Sequence, residues 1–256
     1  MIFLNNVHKL IKEDVVCIIF FAFVNILFSK KLVLYEKLYM ICKKGDIYMP
    51  NFELEDSFEG IVAGVDEAGR GPWVGPVVAG CVVFINRNVD ARLLENLNDS
   101  KKISKKKREM LYELLHGEAE KGNVLIGIGE ASAQEIDEIN ILNASFLAMK
   151  RAIEKAGVKP DMVLIDGNRE PKDFGCKVKA VVKGDAKSYS ISGASILAKV
   201  YRDKLLDEMA KKYPYYGFEK NAGYGTKAHI DGLKKYGVID EHRKSYKPVA
   251  EILNNV

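Results

Sequence analysis

A short apolar run, Ile61-Val62-Ala63, sets the tightest limit on how this chain can fold. It is followed three residues later by two adjacent acids, Asp66 and Glu67, and then by Ala68-Gly69-Arg70-Gly71-Pro72. The run has the composition of a buried strand. Adjacent side chains on a strand point to opposite faces, so both acids can serve one site only if the strand ends at them. The glycines and the proline predict that end, in a turn with exposed backbone. A strand that delivers acids to its tip, then a loop of bare N–H groups with an arginine, suits a phosphodiester and its cations. A lone Asp-Glu pair is commonly just a solvated strand end. Here a second strand of the same design, Met162-Val163-Leu164-Ile165 closing on Asp166-Gly167-Asn168, favours the site.

The rest of the chain reads as alternating strand and helix. Pro76 to Phe84 is a second strand, able to pair with the first as a hairpin. Ser104 is placed to cap a helix whose apolar stripe is Leu111, Leu114 and Leu115. Asn123–Gly129, Asp161–Gly167 and Val178–Val182 read as three further strands. Helices are predicted over Ala144–Ala156, Ser188–Lys212, Lys227–Tyr236 and Tyr246–Leu253, with Pro214 ending the long one. The expected fold class is α/β, one mixed five-stranded sheet covered by helices.

Charge excludes less than it first suggests. The net charge is +4, but residues 1–48 hold seven Lys/Arg against four Asp/Glu, so only +1 remains for residues 49–256. Bulk charge thus selects no partner, and only local clusters can. Four scattered cysteines (Cys17, Cys42, Cys81, Cys176) and four histidines argue against zinc and for a reduced, cytoplasmic setting. Residues 1–48 differ in character from the rest of the chain. Val15–Phe28 is apolar apart from Asn25 and is flanked by lysines. It falls short of the ~20 residues of a membrane span and lacks a small-residue cleavage site. The preferred reading is an apolar extension ahead of a working start at Met49, with a membrane anchor as the alternative.

A fourth acid, Asp185, follows the Ala180-Val181-Val182 strand through Lys183-Gly184. Asp66, Glu67, Asp166 and Asp185 form an all-oxygen donor set, which selects Mg²⁺ or Mn²⁺ over zinc. Four converging acids repel one another and need counter-ions. Two divalent ions meet that need and activate water at a phosphodiester.

The motifs stand in a recognisable order. They are Asp66-Glu67-Ala68-Gly69-Arg70-Gly71-Pro72, Asp99-Ser100-Lys101-Lys102, Asp166-Gly167-Asn168, Lys183-Gly184-Asp185, Ala194 to Asp203, and Gly223-Tyr224-Gly225-Thr226-Lys227 with His229. This series resembles ribonuclease HII over about residues 60 to 253. The resemblance implies a ribonuclease H-like fold with a C-terminal helical substrate-binding segment, making residues 49–256 the catalytic domain. It implies endonucleolytic hydrolysis of RNA within RNA–DNA hybrids and of single ribonucleotides embedded in DNA, as in ribonucleotide excision repair. The cut would fall 5′ of the ribonucleotide and leave 3′-hydroxyl and 5′-phosphate ends. Asp66, Glu67, Asp166 and Asp185 match the family's metal-binding catalytic acids. Gly69, Arg70 and Gly71 match the segment that reads the ribose 2′-hydroxyl, the group that distinguishes RNA from DNA. Tyr224 matches the tyrosine that packs on the adjoining deoxyribose. The partner is duplex nucleic acid, the protein a monomer, and no small-molecule cofactor is expected.

Other features are weighed against plainer readings. Lys101 and Lys102 are assigned to backbone phosphates, whereas Lys105, Lys106, Lys107 and Arg108 read as a solvated helix start. Asp203 reads as a salt-bridge partner on the long helix rather than a fifth ligand. Lys183, Ser188 and Ser192 fit phosphate contact or scaffold equally. His229 and His242 read as satisfied histidines rather than bases. Trp73 and Gly193 depart from the family pattern, and Trp73 lies where it could pack behind the recognition loop. Ribonuclease HIII fits less well, because it resembles Glu-Ser-Gly-Lys-Gly at the loop. Readings from other classes are a catalytically silent duplex-binding module on this fold and a membrane-tethered protein.

Overall fold

The computed structural model describes residues 49–98, 100 and 103–254. The apolar extension 1–48 and the lysines Lys101 and Lys102 lie outside the described residues. Five strands form one sheet in the order β3-β2-β1-β4-β5. They are β1 (Val62–Ala68), β2 (Val77–Phe84), β3 (Val124–Ala131), β4 (Met162–Asp166) and β5 (Lys177–Val181). The first three form an antiparallel meander, and β4 and β5 join β1 in parallel. The expected mixed sheet is therefore present, with β1 at its centre.

Among the described residues, α1 (Glu53–Asp56), α2 (Ala91–Asn96), α3 (Lys105–Glu120), α4 (Ala133–Lys155) and α5 (Tyr189–Lys212) surround the sheet. Beyond them lie α6 (Phe218–Asn221), α7 (Lys227–Tyr236) and α8 (Lys247–Asn254). Alternation along β1 divides the core in two. Ala63 and Val65 pack with Ala144, Ala148, Met149 and Ala152 of α4. On the other face, Val82 of β2 packs with Leu111 and Leu115 of α3 and Ala194 and Leu197 of α5. Among the described residues, no helix is long and apolar enough to cross a membrane.

Helix α5 lies against the sheet because β1 and β2 present glycines to it. A Cβ on Gly64 would fall 2.3 Å from the Ser190 carbonyl carbon, and one on Gly80 would fall 2.2 Å from the Ala194 carbonyl oxygen. Backbone therefore meets backbone, which brings the small residues of α5 to the carboxyl end of β1. Ser188 caps this helix by accepting from Ile191 N at 3.1 Å. Its hydroxyl also donates to the buried Glu55 of α1 at 2.7 Å, and Ser192 donates to Asn98 O at 3.1 Å. Both serines are scaffold.

Strand β1, helix α4 and Arg108 depart from the sequence reading. Strand β1 does not stop at the acids but runs on to Ala68, because β2 pairs with it through Ala68↔Val78. Helix α4 begins eleven residues before the expected Ala144, at Ala133, with Ser132 and Glu135 forming a capping box. The early part was missed because Asn140, at φ 64°, breaks the helical period. Its side chain then caps the second half, accepting from Leu142 N and Asn143 N at 3.0 and 3.2 Å. Arg108 is not solvated either. It donates to the carbonyls of Ser100 and Ile103 at 3.0 and 2.6 Å, closing the loop before α3.

Candidate active site

The acids meet because the sheet loses pairing on one side only. The β1–β4 ladder stops at Val65↔Ile165, so Asp66 and Asp166 stand at neighbouring carboxyl ends of two parallel strands. By alternation Asp66 shares the α5 face with Gly64, whereas Glu67 leaves by the opposite face. Strand ends of this kind are where open α/β sheets gather functional groups.

Asp66 is 7% exposed and accepts from Glu67 N at 2.7 Å. Burial first, then the charges of Glu67 and Asp166, hold its carboxyl well above the usual range, and the Ser195 hydroxyl draws it partly back. Glu67 is also raised, by burial and by Asp166, against the pull of Arg70. Arg70 Nη1 reaches Glu67 Oε1 at 3.2 Å. Asp166 Oδ1 accepts from Gly184 N at 2.7 Å. That bond ties the turn Gly184–Ala186, which carries the buried Asp185, to the end of β4. The turn is entered through Lys183 in a left-handed conformation (φ 56°), a strained state for a non-glycine residue, of the kind that clusters at functional sites.

Glu67 and Asp166 thus lie near enough for their charges to act on the buried Asp66, although Glu67 leaves by the opposite face. Asp185 sits on a turn anchored to Asp166. Among the described residues, no three His, Cys, Asp or Glu side chains are gathered closely enough to hold a metal ion as they stand. Carboxylates sharing a site push apart unless positive charge balances them.

Beside the acids, the loop through Gly69, Arg70 and Gly71 departs from β1. Gly69 has φ +96°, and a Cβ there would lie 2.0 Å from Arg202 Nε. Arg70 and Gly71 are exposed. A Cβ on Gly71 would lie 3.1 Å from Cε1 of Tyr224, so the predicted tyrosine does stand over the predicted loop. Tyr224 is 53% exposed. Behind it Trp73 covers Gly225, where a Cβ would meet the indole at 1.9 Å. Asp203 binds Lys199 at 2.6 Å, in keeping with its reading as a salt-bridge partner.

Several residues at the site escaped the sequence reading. Ser195, which donates to Asp66, also bonds the Ser100 hydroxyl at 2.9 Å. Arg202 is 3% exposed and donates to the carbonyls of Pro76, Val74 and Ala222 at 3.2–3.3 Å. Arg243 and Tyr246 hold the carbonyls of Gly69 and Arg70. Only the position of Ser195 inside the Ala194–Asp203 motif could have signalled a role at the acids.

Comparison with known proteins identifies the family and the fold. The sequence profile described as ribonuclease HII matches residues 63–249. The ribonuclease HII of Wolbachia sp. subsp. Brugia malayi is 49% identical over 200 residues, covering 78% of this chain and 94% of the relative. That of Paramagnetospirillum magneticum is 48% identical over 205 residues, covering 80% and 99%. Among solved structures, the ribonuclease H2 of Pyrococcus horikoshii aligns with a TM-score of 0.60 at 29% identity, covering 76% of this chain and 98% of that one. Bst-RNase HIII in complex with Mn²⁺ aligns at 0.55, with 13% identity, over 76% of this chain and 70% of its own, a likeness of fold alone. The chain has the ribonuclease H-like fold, belongs to the ribonuclease HII family, and is an endonuclease of the ribonuclease H class.

Proposed function

We propose that this enzyme hydrolyses the RNA strand of RNA–DNA hybrids and single ribonucleotides embedded in DNA. It cuts on the 5′ side of the ribonucleotide and leaves 3′-hydroxyl and 5′-phosphate ends. The observation that carries this reading is that the charges of Glu67 and Asp166 act on the buried Asp66 at the end of the sheet, beside an exposed glycine loop on which Tyr224 rests. Buried carboxyls that are costly to ionise together suit hard cations, and their oxygen-only donors favour Mg²⁺ or Mn²⁺. Asp66, Glu67, Asp166 and Asp185 would hold two such ions. Bound there, divalent ions supply charge that activates water and steadies the reacting phosphate.

The chain's own groups do the positioning. Ser195 orients Asp66, and the Gly184 N–H orients Asp166. Main-chain groups of Gly69, Arg70 and Gly71 meet the ribose 2′-hydroxyl. The ring of Tyr224 packs on the neighbouring deoxyribose, where a further hydroxyl would crowd it. Lys101 and Lys102 neutralise backbone phosphates. Residues 49–256 are the catalytic unit, acting as a cytoplasmic monomer without a small-molecule cofactor.

The test is a labelled duplex with one ribonucleotide, incubated with the protein and Mg²⁺ or Mn²⁺. A single cut 5′ of the ribonucleotide, with a 3′-hydroxyl end, is expected. Cutting 3′ of it, or equal cutting of the all-DNA duplex, overturns the proposal.

A further inference from the structure

Two adjacent residues near the C-terminus, His242 and Arg243, are completely buried, and the chemistry of the acids uses neither. They belong to a segment paired with the chain beyond the glycine loop, through Arg243 N to Trp73 O and Gly75 N to Glu241 O, both at 2.8 Å. Asp137 of α4 fixes the next two residues, accepting from Lys244 N and Ser245 N at 2.8 Å.

Arg243 spends its guanidinium on main-chain carbonyls. Nη2 donates to Gly69 O at 2.5 Å, Nη1 to Arg70 O at 2.9 Å, and Nε to Gly75 O at 3.0 Å. Tyr246 accepts from Nη1 at 3.0 Å and donates to the same Arg70 carbonyl at 2.5 Å. In a trans peptide the C=O of one residue and the N–H of the next point in opposite directions. Drawing the carbonyls of Gly69 and Arg70 inward therefore turns the N–H groups of Arg70 and Gly71 outward, on two exposed residues.

His242 reaches the other reading element through His229, and the proton positions follow from the partners. The Tyr224 carbonyl can only accept, so His229 donates to it from Nδ1 at 3.0 Å. The Ile239 N–H can only donate, so His242 accepts from it at Nδ1, also at 3.0 Å. His242 thus carries its proton on Nε2 and gives it to His229 Nε2 at 2.9 Å. A second proton on either ring would set two N–H groups against each other. The relay is neutral, and it runs from the C-terminal segment to the main chain of Tyr224.

We infer that His242 and Arg243 are positioning residues for substrate reading. Arg243 faces the N–H groups of the 69–71 loop outward, and His242, acting through His229, fixes the Tyr224 backbone at the matching distance. This rests on the roles proposed for the loop and Tyr224.

The experiment uses full-length Arg243→Lys, His229→Asn and His229→Phe, with Tyr224→Ala as the direct probe of reading. An asparagine amide can replace the Nδ1 donor to Tyr224, whereas phenylalanine cannot. The readouts are kcat/KM on a duplex with one ribonucleotide, Kd for the all-DNA duplex of the same sequence, and thermal unfolding. Arg243→Lys and His229→Phe should each lose about tenfold to a hundredfold in kcat/KM, as expected for displaced positioning groups, with all-DNA affinity unchanged. His229→Asn should recover most of the loss. Equal loss of cleavage and all-DNA binding, or no difference between the asparagine and phenylalanine variants, overturns the inference. If Arg243→Lys does not fold, the His229 pair decides alone. If Tyr224→Ala leaves single-ribonucleotide cleavage intact, the reading of Tyr224 has failed, and the inference falls with it.

Discussion

Two glycines in the recognition loop should respond differently to the same added methyl group. The left-handed residue of the loop is Gly69, at φ +96°, whereas Gly71 has no such torsion. A left-handed alanine costs roughly 1–2 kcal/mol from its backbone alone. Its Cβ would also lie 2.0 Å from Arg202 Nε. That side chain cannot swing aside, because it is buried and bonded to three carbonyls. Relief needs a movement of about 1.5 Å to reach ordinary contact distance, or the loss of one to three hydrogen bonds to a charged group at roughly 1.5–3 kcal/mol each. Gly69→Ala should therefore lose about 3–5 kcal/mol of stability, and kcat/KM should fall by about a hundredfold for a loop displaced by an ångström or more. At Gly71 the new Cβ meets only Tyr224 Cε1, at 3.1 Å, on a half-exposed ring that can yield by a few tenths of an ångström. Gly71→Ala should change stability by less than about 0.5 kcal/mol, as ordinary surface substitutions do, while lowering single-ribonucleotide cleavage. Urea unfolding and steady-state cleavage of the two variants form the assay. Equal destabilisation, or wild-type stability for Gly69→Ala, would remove the distinction between the two positions.

Two further predictions concern pH and chain length. Burial holds His242 down at about 4 against an ordinary value of 6.5, with His229 adding to the effect. The unfolded chain then binds a proton that the folded one refuses, so this residue's contribution to stability should be lost as pH falls from about 6.5 to about 4. The loss totals about 3 kcal/mol. Subtracting the urea-unfolding pH profile of His242→Asn from that of the wild type isolates it; parallel profiles contradict the neutral relay. A chain beginning at Met49 should match the full chain in kcat/KM and thermal unfolding, because every residue assigned to the site follows Gly60. Loss of folding on that truncation would make residues 1–48 part of the core.

The acids and the loop were legible because each lies in a short motif beside an apolar run, and the central strands β2 and β4 because they are near-continuous apolar residues. What the sequence hid was partnership at long range. Nothing local to Arg243 signals its acceptors, which are carbonyls about 170 residues away. The histidine relay depends on Tyr224 and Ile239 presenting an acceptor and a donor, which residue identity does not encode. The continuation of β1 past Glu67 is decided by β2, not by the local Ala-Gly sequence. Helices α1, α2 and α6, of four to six residues, are too short to show a period. Asn140 concealed the start of α4, although the Ser132–Glu135 capping signal was present.

If carboxylates at the ends of β1 and β4 hold the charge that drives hydrolysis, removing one charge without changing its shape should stop the reaction. The decisive experiment is single-turnover cleavage of an RNA–DNA hybrid by Asp166→Asn at saturating Mn²⁺, with hybrid affinity measured in parallel. The substitution keeps the acceptor for the Gly184 N–H but removes the charge. The rate should fall by at least about a hundredfold with hybrid affinity nearly unchanged. A rate within a few-fold of the wild type would contradict a carboxylate-driven site.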